Sequence, residues 1–159
     1  MRDHGADELT RDDWRDGAAL LILRAGLVWF MFLWAVHKII TPKQYKGLVK
    51  HFDGIEVSLE QVYATGGIQI AICALALIGL FRPFAYGALL IMHFFTVTRQ
   101  IDRYLDPFAL SEKGFPVNRN PVIALAALGA FIALFLLIKR DHLSVGGWLA
   151  RKGRGRWWH

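Results

Sequence analysis

The chain reads as an all-α integral membrane protein, a four-helix bundle of antiparallel up-and-down spans, and three observations predict that architecture. Four apolar stretches, about residues 18–40, 59–81, 84–101 and 121–138, alternate with short polar connections. Each approaches the ~20 residues an α-helix needs to cross the hydrocarbon core of a bilayer. Hydrophobic residues make up 55% of the 159-residue chain and mean hydropathy is +0.34, which suits one compact domain with no separate soluble module. Lipid cannot hydrogen-bond a bare backbone, so only helices or closed barrels span it, and these continuous runs lack the alternation of barrel strands.

The elements follow in order. Residues 1–16, MRDHGADELTRDDWRD, are charged and have no apolar centre, so they read as a polar cytoplasmic segment rather than a cleavable signal. The first span starts near Gly17 and ends at Thr41-Pro42, where proline cannot continue a helix and restricts the residue before it. Residues 42–58 read as a polar loop in which lysines mix with Asp53 and Glu56. The second span covers 59–81. Arg82-Pro83 then makes a tight turn, with proline in the first turn of span three, so spans two and three form an antiparallel hairpin. The third helix is expected to continue outward through RQIDRYL until Asp106-Pro107. Asn120-Pro121 reads as an N-cap followed by proline at the first helical position of span four, which ends at Lys139-Arg140. The resulting organisation is a polar segment over 1–16, a four-helix transmembrane domain over 17–140 and a basic, Trp-rich tail over 141–159.

Cys73 is the only cysteine, which excludes an intramolecular disulfide, CxxC chemistry and a thiolate-held iron–sulfur cluster supplied by this chain alone. Basic residues flank the spans and give a net charge of +6. In a chain this apolar they set topology and meet anionic head groups, so no nucleic-acid partner is expected. Ten arginines and lysines fall on the side of the termini and eight on the other, which favours cytoplasmic termini. The tail interleaves arginines with Trp148, Trp157 and Trp158, as an interfacial anchor in the lipid bilayer would.

Polar residues inside spans are costly and usually face the bundle or a watery cavity. Gln61, Thr65, Gln69 and Cys73 recur at i+4 along span two. They serve either as helix–helix ties beside Gly66 and Gly67 or as a substrate-facing stripe. His93 and Gln69 both lie roughly 15 Å deep at 1.5 Å rise per residue, near enough to meet across the hairpin. His93, Thr96, Gln100 and Arg103 share a face at offsets of 3, 7 and 10. A buried histidine of this kind transfers protons, binds a quinone oxygen, or is a neutral imidazole satisfied by Gln69. His37 and Lys38 close span one, where Lys38 can snorkel to the interface. Arg99 with Asp102, and Arg103 with Asp106, are spaced as i,i+3 ion pairs, either on a solvated face or around an entrance above His93. Arg24 must snorkel or find an acceptor inside the bundle, and Glu60 is its mirror case at the outer edge.

No metal centre is expected, because no span carries histidines at i, i+3 or i+4 and no Glu-x-x-His occurs. A bis-histidine haem from His37 and His93 is disfavoured by their different depths. Ala126, Gly129, Ala130 and Ala133 give span four a small-residue face for tight packing or contact with a partner.

Taken together, three segments resemble the DoxX family of small four-helix bacterial membrane proteins over about residues 20–138. They are LRAGLVWFMFLWAVHKI, with Arg24 early and Lys38 closing the helix, TGGIQIAICALALIGLFRP, and NPVIALAALGAFIALFLL. The resemblance implies a multi-pass protein of the bacterial cytoplasmic (inner) membrane with other membrane or redox subunits as partners. Among the family's roles is a subunit of thiosulfate:quinone oxidoreductase. One reading is therefore a subunit lining a quinone or small-molecule pocket. In it His93 and Asp102 transfer protons, while Gln69, Thr65, Thr96, His37, Lys38, Arg99 and Arg103 bind or admit the substrate. Electrons would come from elsewhere, since no intrinsic redox cofactor motif is visible. The rival is a non-catalytic assembly or anchoring subunit of a larger membrane complex.

Overall fold

Thr10 begins the first helix with a capping box. Its hydroxyl accepts from the Asp13 backbone N–H, and the Asp13 carboxylate accepts from the Thr10 N–H. This satisfies otherwise orphaned amides at the helix start. In this computed structural model, residues 9–112 and 114–154 are described, without the side chains of 119, 120, 153 and 154. Among them are seven α-helices: α1 (Arg11–Ile40), α2 (Pro42–Asp53), α3 (Leu59–Ile78), α4 (Arg82–Thr98), α5 (Ile101–Leu105), α6 (Arg119–Leu136) and α7 (Val145–Leu149). The described residues contain no strand, only an isolated bridge between Leu110 and Pro116. Residues 1–8 of the N-terminal segment, Lys113 and the tail tryptophans Trp157 and Trp158 lie outside the described residues, as does the Asn120 side chain.

The buried positions of α1 are Gly17, Leu20, Arg24, Leu27, Val28, Met31, Ala35 and Lys38. Steps of three and four keep one narrow seam facing the neighbours, and both cations lie on it. On α3 the matching seam is Val62, Gly66, Gln69, Cys73 and Ala76. Gly66 lets the two helices approach closely. A Cβ there would stand 2.8 Å from Ile39 Cδ1 and 3.0 Å from Lys38 Cβ. The shared core joins Leu27, Met31, Ala76, Leu89, Phe131 and Leu134, drawn from α1, α3, α4 and α6.

Several boundaries differ from the sequence expectation. Residues 11–16, expected to lie outside the first helix, belong to α1 because of its Thr10 cap. The expected loop over 42–58 contains α2, opened by Pro42 and closed by Gly54 at φ 66. The second span ends early, at Gly79 with φ 68, and non-glycine Phe81 also turns left-handed at φ 49 before Pro83. The third helix does not run unbroken to Asp106. It stops at Thr98, where Thr96 and Thr98 hydroxyls bond back to the carbonyls of Met92 and Phe95, and restarts as α5. The fourth helix begins at Arg119, so Asn118 takes the N-cap position expected of Asn120.

Helices α1 and α3 are long and apolar enough to cross a membrane, and 121–136 is a shorter apolar helix. Their apolar windows are only 33% and 28% buried, whereas the core helix of a soluble domain is mostly enclosed. Large apolar side chains face outward, including Ile22, Trp29, Ile68 and Ile91.

The two glycines of α3 separate packing from propensity. Gly66→Leu is expected to lower unfolding stability in detergent by about 1–3 kcal/mol through overpacking. Gly67→Leu, where an added Cβ meets nothing within 4 Å, should be neutral or slightly stabilising. Equal loss at both positions in a thermal or denaturant melt would contradict the α1–α3 contact.

Candidate functional site

Three sets of buried polar side chains stand in the interior, each tying different elements together. The first sits where the N-terminal half of α1, the α3–α4 turn and the segment after α6 meet. Arg24, 2% exposed, donates from Nη1 to Asp141 Oδ2 at 2.6 Å and to the Tyr86 hydroxyl at 3.1 Å. Its Nη2 donates to the Leu143 carbonyl at 3.0 Å. The Tyr86 hydroxyl in turn donates to Asp141 Oδ2 at 2.5 Å. Asp141 is fully buried and is the counter-ion that Arg24 requires.

Arg82, also buried, caps the opposite side of the same segment. Its Nη1 donates to the carbonyls of Ile138 and Asp141, each at 3.0 Å. A guanidinium suits the carbonyl-rich end of α6, where backbone dipoles leave partial negative charge. Ser144 donates to the Asp141 carbonyl at 2.7 Å and accepts from the Gly147 N–H at 3.0 Å. The Gly146 N–H reaches back to the Gly79 carbonyl at 2.9 Å. Glycine is required at 79: φ is +68, and a Cβ would stand 2.4 Å from Ser144 Cβ. Residues 141–147, read from sequence as the start of a surface tail, thus close one end of the bundle.

The second set is at the other end of the α1–α3 seam. The Lys38 ammonium donates to Gln69 Oε1, and Gln69 Nε2 donates to the Met31 carbonyl at 2.8 Å. Lys38 lies inside the packing rather than snorkelling outward, with Nζ 4.9 Å from the centroid of Tyr45. Burial pushes the Tyr45 phenol above its usual pKa, so the ring remains neutral beneath the cation. His37 meets Trp34 and Tyr45 edge-on, at centroid separations of 6.1 and 6.2 Å.

The third set is His93. It donates from Nε2 to the Ala124 carbonyl at 2.9 Å, so that nitrogen carries the proton. The Phe30 and Phe131 rings flank it at 5.4 and 5.2 Å. His93 therefore joins α4 to α6, while Gln69 joins α3 to α1. The expected His93–Gln69 pairing is replaced by these separate bonds.

The remaining sequence-derived residues do not converge on any of these three sets. The i+4 row of span two rotates about 40° per step relative to an ideal 3.6-residue helix. Gln69 and Cys73 consequently face inward, whereas Thr65 is exposed and bonds back to the Val62 carbonyl at 2.9 Å. Thr96 is likewise exposed. Arg99 pairs with Asp53 of α2 at 3.0 Å instead of with Asp102, and the Arg103 guanidinium lies 4.9 Å from the Phe52 ring centroid. The break before α5 redirects both arginines toward α2. Asp102 is exposed and has no ion pair among the described residues. No group of three or more metal-ligating side chains occurs among the described residues.

Asp141, Tyr86 and Ser144 were missed from sequence. Asp141 had one legible signal: it is an acid directly after span four, on the side where Arg24 enters. An open groove of about 730 Å³ runs beside this network, with Arg24 and Ser144 among its lining residues. No family model, curated protein or solved structure matches the chain.

Asp141→Ala should cost about 3–5 kcal/mol of unfolding stability by stranding the Arg24 charge, and Tyr86→Phe about 1 kcal/mol. Arg24→Met combined with Asp141→Leu should recover most of the first loss. Denaturant titration of the purified variants checks all three; additive losses in the double variant would contradict the pairing.

Proposed function

We propose that this chain is a multi-pass protein of the bacterial cytoplasmic membrane. On this reading α1, α3, α4 and α6 are four antiparallel crossings, and both termini are cytoplasmic. Its role is that of a non-catalytic assembly subunit in a membrane redox complex, in keeping with the DoxX resemblance. The observation that carries the reading is the inverted polarity of the bundle. Arg24, Lys38, Gln69, Arg82, His93 and Asp141 are buried, while Ile22, Trp29, Ile68, Ile91 and Ile123 are exposed. A soluble fold would lose free energy on both counts, whereas lipid reverses the sign of the second.

The interior polar groups also favour assembly over catalysis. Gln69 and His93 use hydrogen bonds to hold backbone carbonyls of neighbouring helices, the role such side chains have in membrane packing. The outer face of α6 is open at Ala126 and Gly129, and a Cβ at Gly129 meets nothing within 4 Å. Small residues there would let a partner helix come close. The quinone reading, with His93 and Asp102 moving protons, is served less well. Its residues stand in separate places: His93 between two rings, Thr65 and Thr96 on outward faces, Asp102 on α5.

Two measurements test the proposal. The protein should stay in the membrane pellet after alkaline carbonate extraction, and release into the supernatant would end the membrane reading. Gly129→Leu should leave the protein folded but abolish the larger complex seen by native electrophoresis of gently solubilised membranes. A complex of unchanged size would remove the assembly role.

A further inference from the structure

The groove beside the Arg24 network combines features that recognise one kind of molecule. Its inner end is formed by Arg24 and Ser144, both buried in the network. Arg24 Nε lies buried without a protein partner, as does Arg82 Nε nearby in the same network. Arg24 pairs with the Asp141 carboxylate, whereas Arg82 donates to the backbone carbonyls of Ile138 and Asp141, so the cluster retains one formal positive charge. The Asp141 carboxylate keeps one oxygen, Oδ1, without a hydrogen-bond partner among the described residues.

The mouth adds further positive charge. Arg151 donates from Nη1 to the His142 carbonyl at 2.9 Å, which holds its guanidinium at the groove's rim. His142 itself lies 3.4 Å from Asp13, the nearest acid on α1. The walls are apolar and outward-facing: Trp14, Leu77 and Trp148 are 56%, 48% and 45% exposed. A volume of about 730 Å³ is within the usual ~300–1,000 Å³ range of small-molecule sites. Tryptophans and arginines at the end of an apolar bundle mark the level at which lipid head groups sit.

We infer that this groove is a binding site for an anionic phospholipid of the cytoplasmic leaflet. Its phosphate sits between Arg151 and the Arg24–Ser144 end, and an acyl chain lies along Leu77 and Trp148. The inference rests on the membrane reading above, because that reading supplies the leaflet. Charge complementarity selects the ligand. A neutral quinone or a zwitterionic lipid would fill the apolar walls equally well and make less of the cationic end. A free anion would use the cationic end and leave the walls uncovered.

The full chain, purified in neutral detergent, is titrated with phosphatidylglycerol, phosphatidylcholine, ubiquinone or inorganic phosphate, and binding is read by native mass spectrometry and thermal shift. Phosphatidylglycerol should bind about tenfold more tightly than phosphatidylcholine, whose choline cation offsets the phosphate charge beside the arginines. Arg151→Gln should remove most of that preference while lowering the unliganded melting temperature only slightly, since it costs one rim hydrogen bond, to the His142 carbonyl. Trp148→Ala should weaken both lipids together. Equal affinity for the two lipids, stronger binding of ubiquinone, a full thermal shift from phosphate alone, or an unaltered preference in Arg151→Gln each overturn the inference. Carbonate extraction reports separately on the membrane reading, so a retained protein without lipid preference sinks only the groove.

Discussion

A buried guanidinium needs a counter-ion and several acceptors before a fold can contain it, and Arg24 obtains all of them from one short segment after α6. Asp141 neutralises the charge, Tyr86 bridges donor and acceptor, and the Leu143 carbonyl takes a further N–H. Those bonds bring together three parts of the chain far apart in sequence: α1, the start of α4 and residues 141–144. The cost of desolvating the ions is large, so such a pair does more to specify where these segments meet than to add net stability. Arg82 and Gly79 then complete the same junction, one by capping carbonyls and the other by leaving space for Ser144.

The other polar side chains divide the labour along the bundle. Lys38 and Gln69 secure α1 to α3 near the far end of their seam, and His93 secures α4 to α6. Arg24 and Lys38 are fourteen positions apart, which at 1.5 Å per residue separates the two cationic ends by about 21 Å. The span between them is packed with Leu27, Val28, Met31 and Ala35. Polar specificity is thus concentrated at the ends and at one histidine, with ordinary apolar packing between.

How much of this was legible varies with the range of the interaction. Helix positions were readable because apolar runs and local breakers act within a few residues: Pro42 and Pro83 both mark real boundaries. Helix α2 was missed because its residues are too polar to form an apolar run, although Pro42 and Gly54 bracket it. The break at Arg99 was missed because it arises from hydroxyls bonding to their own helix and from Asp53 on α2, not from a proline. Among candidate site residues, Gln69 and His93 read as interior polar groups and are buried, while Lys38, read as able to snorkel, is buried as well; the partners of all three were not legible. Each bonds to a group whose position depends on how another helix is rotated, and two of the acceptors are backbone carbonyls that no side-chain pattern announces.

The amino-acid sequence by itself determined the all-helical character, the apolar helices α1 and α3 and that Arg24 must either snorkel or find an acceptor. These follow from hydrogen-bonding and solvation rules that act locally along the chain. Tertiary structure alone decided that Asp141 is that acceptor, that residues 141–147 close the bundle and that Thr65 turns away from Gln69. The physical reason is geometric: an i+4 row drifts around a helix, so only the packed 3–4 seam tells which polar residue looks inward. Likewise, a charge buried near one end of α1 can be matched from any segment that reaches that end, and only the assembled helices bring one there.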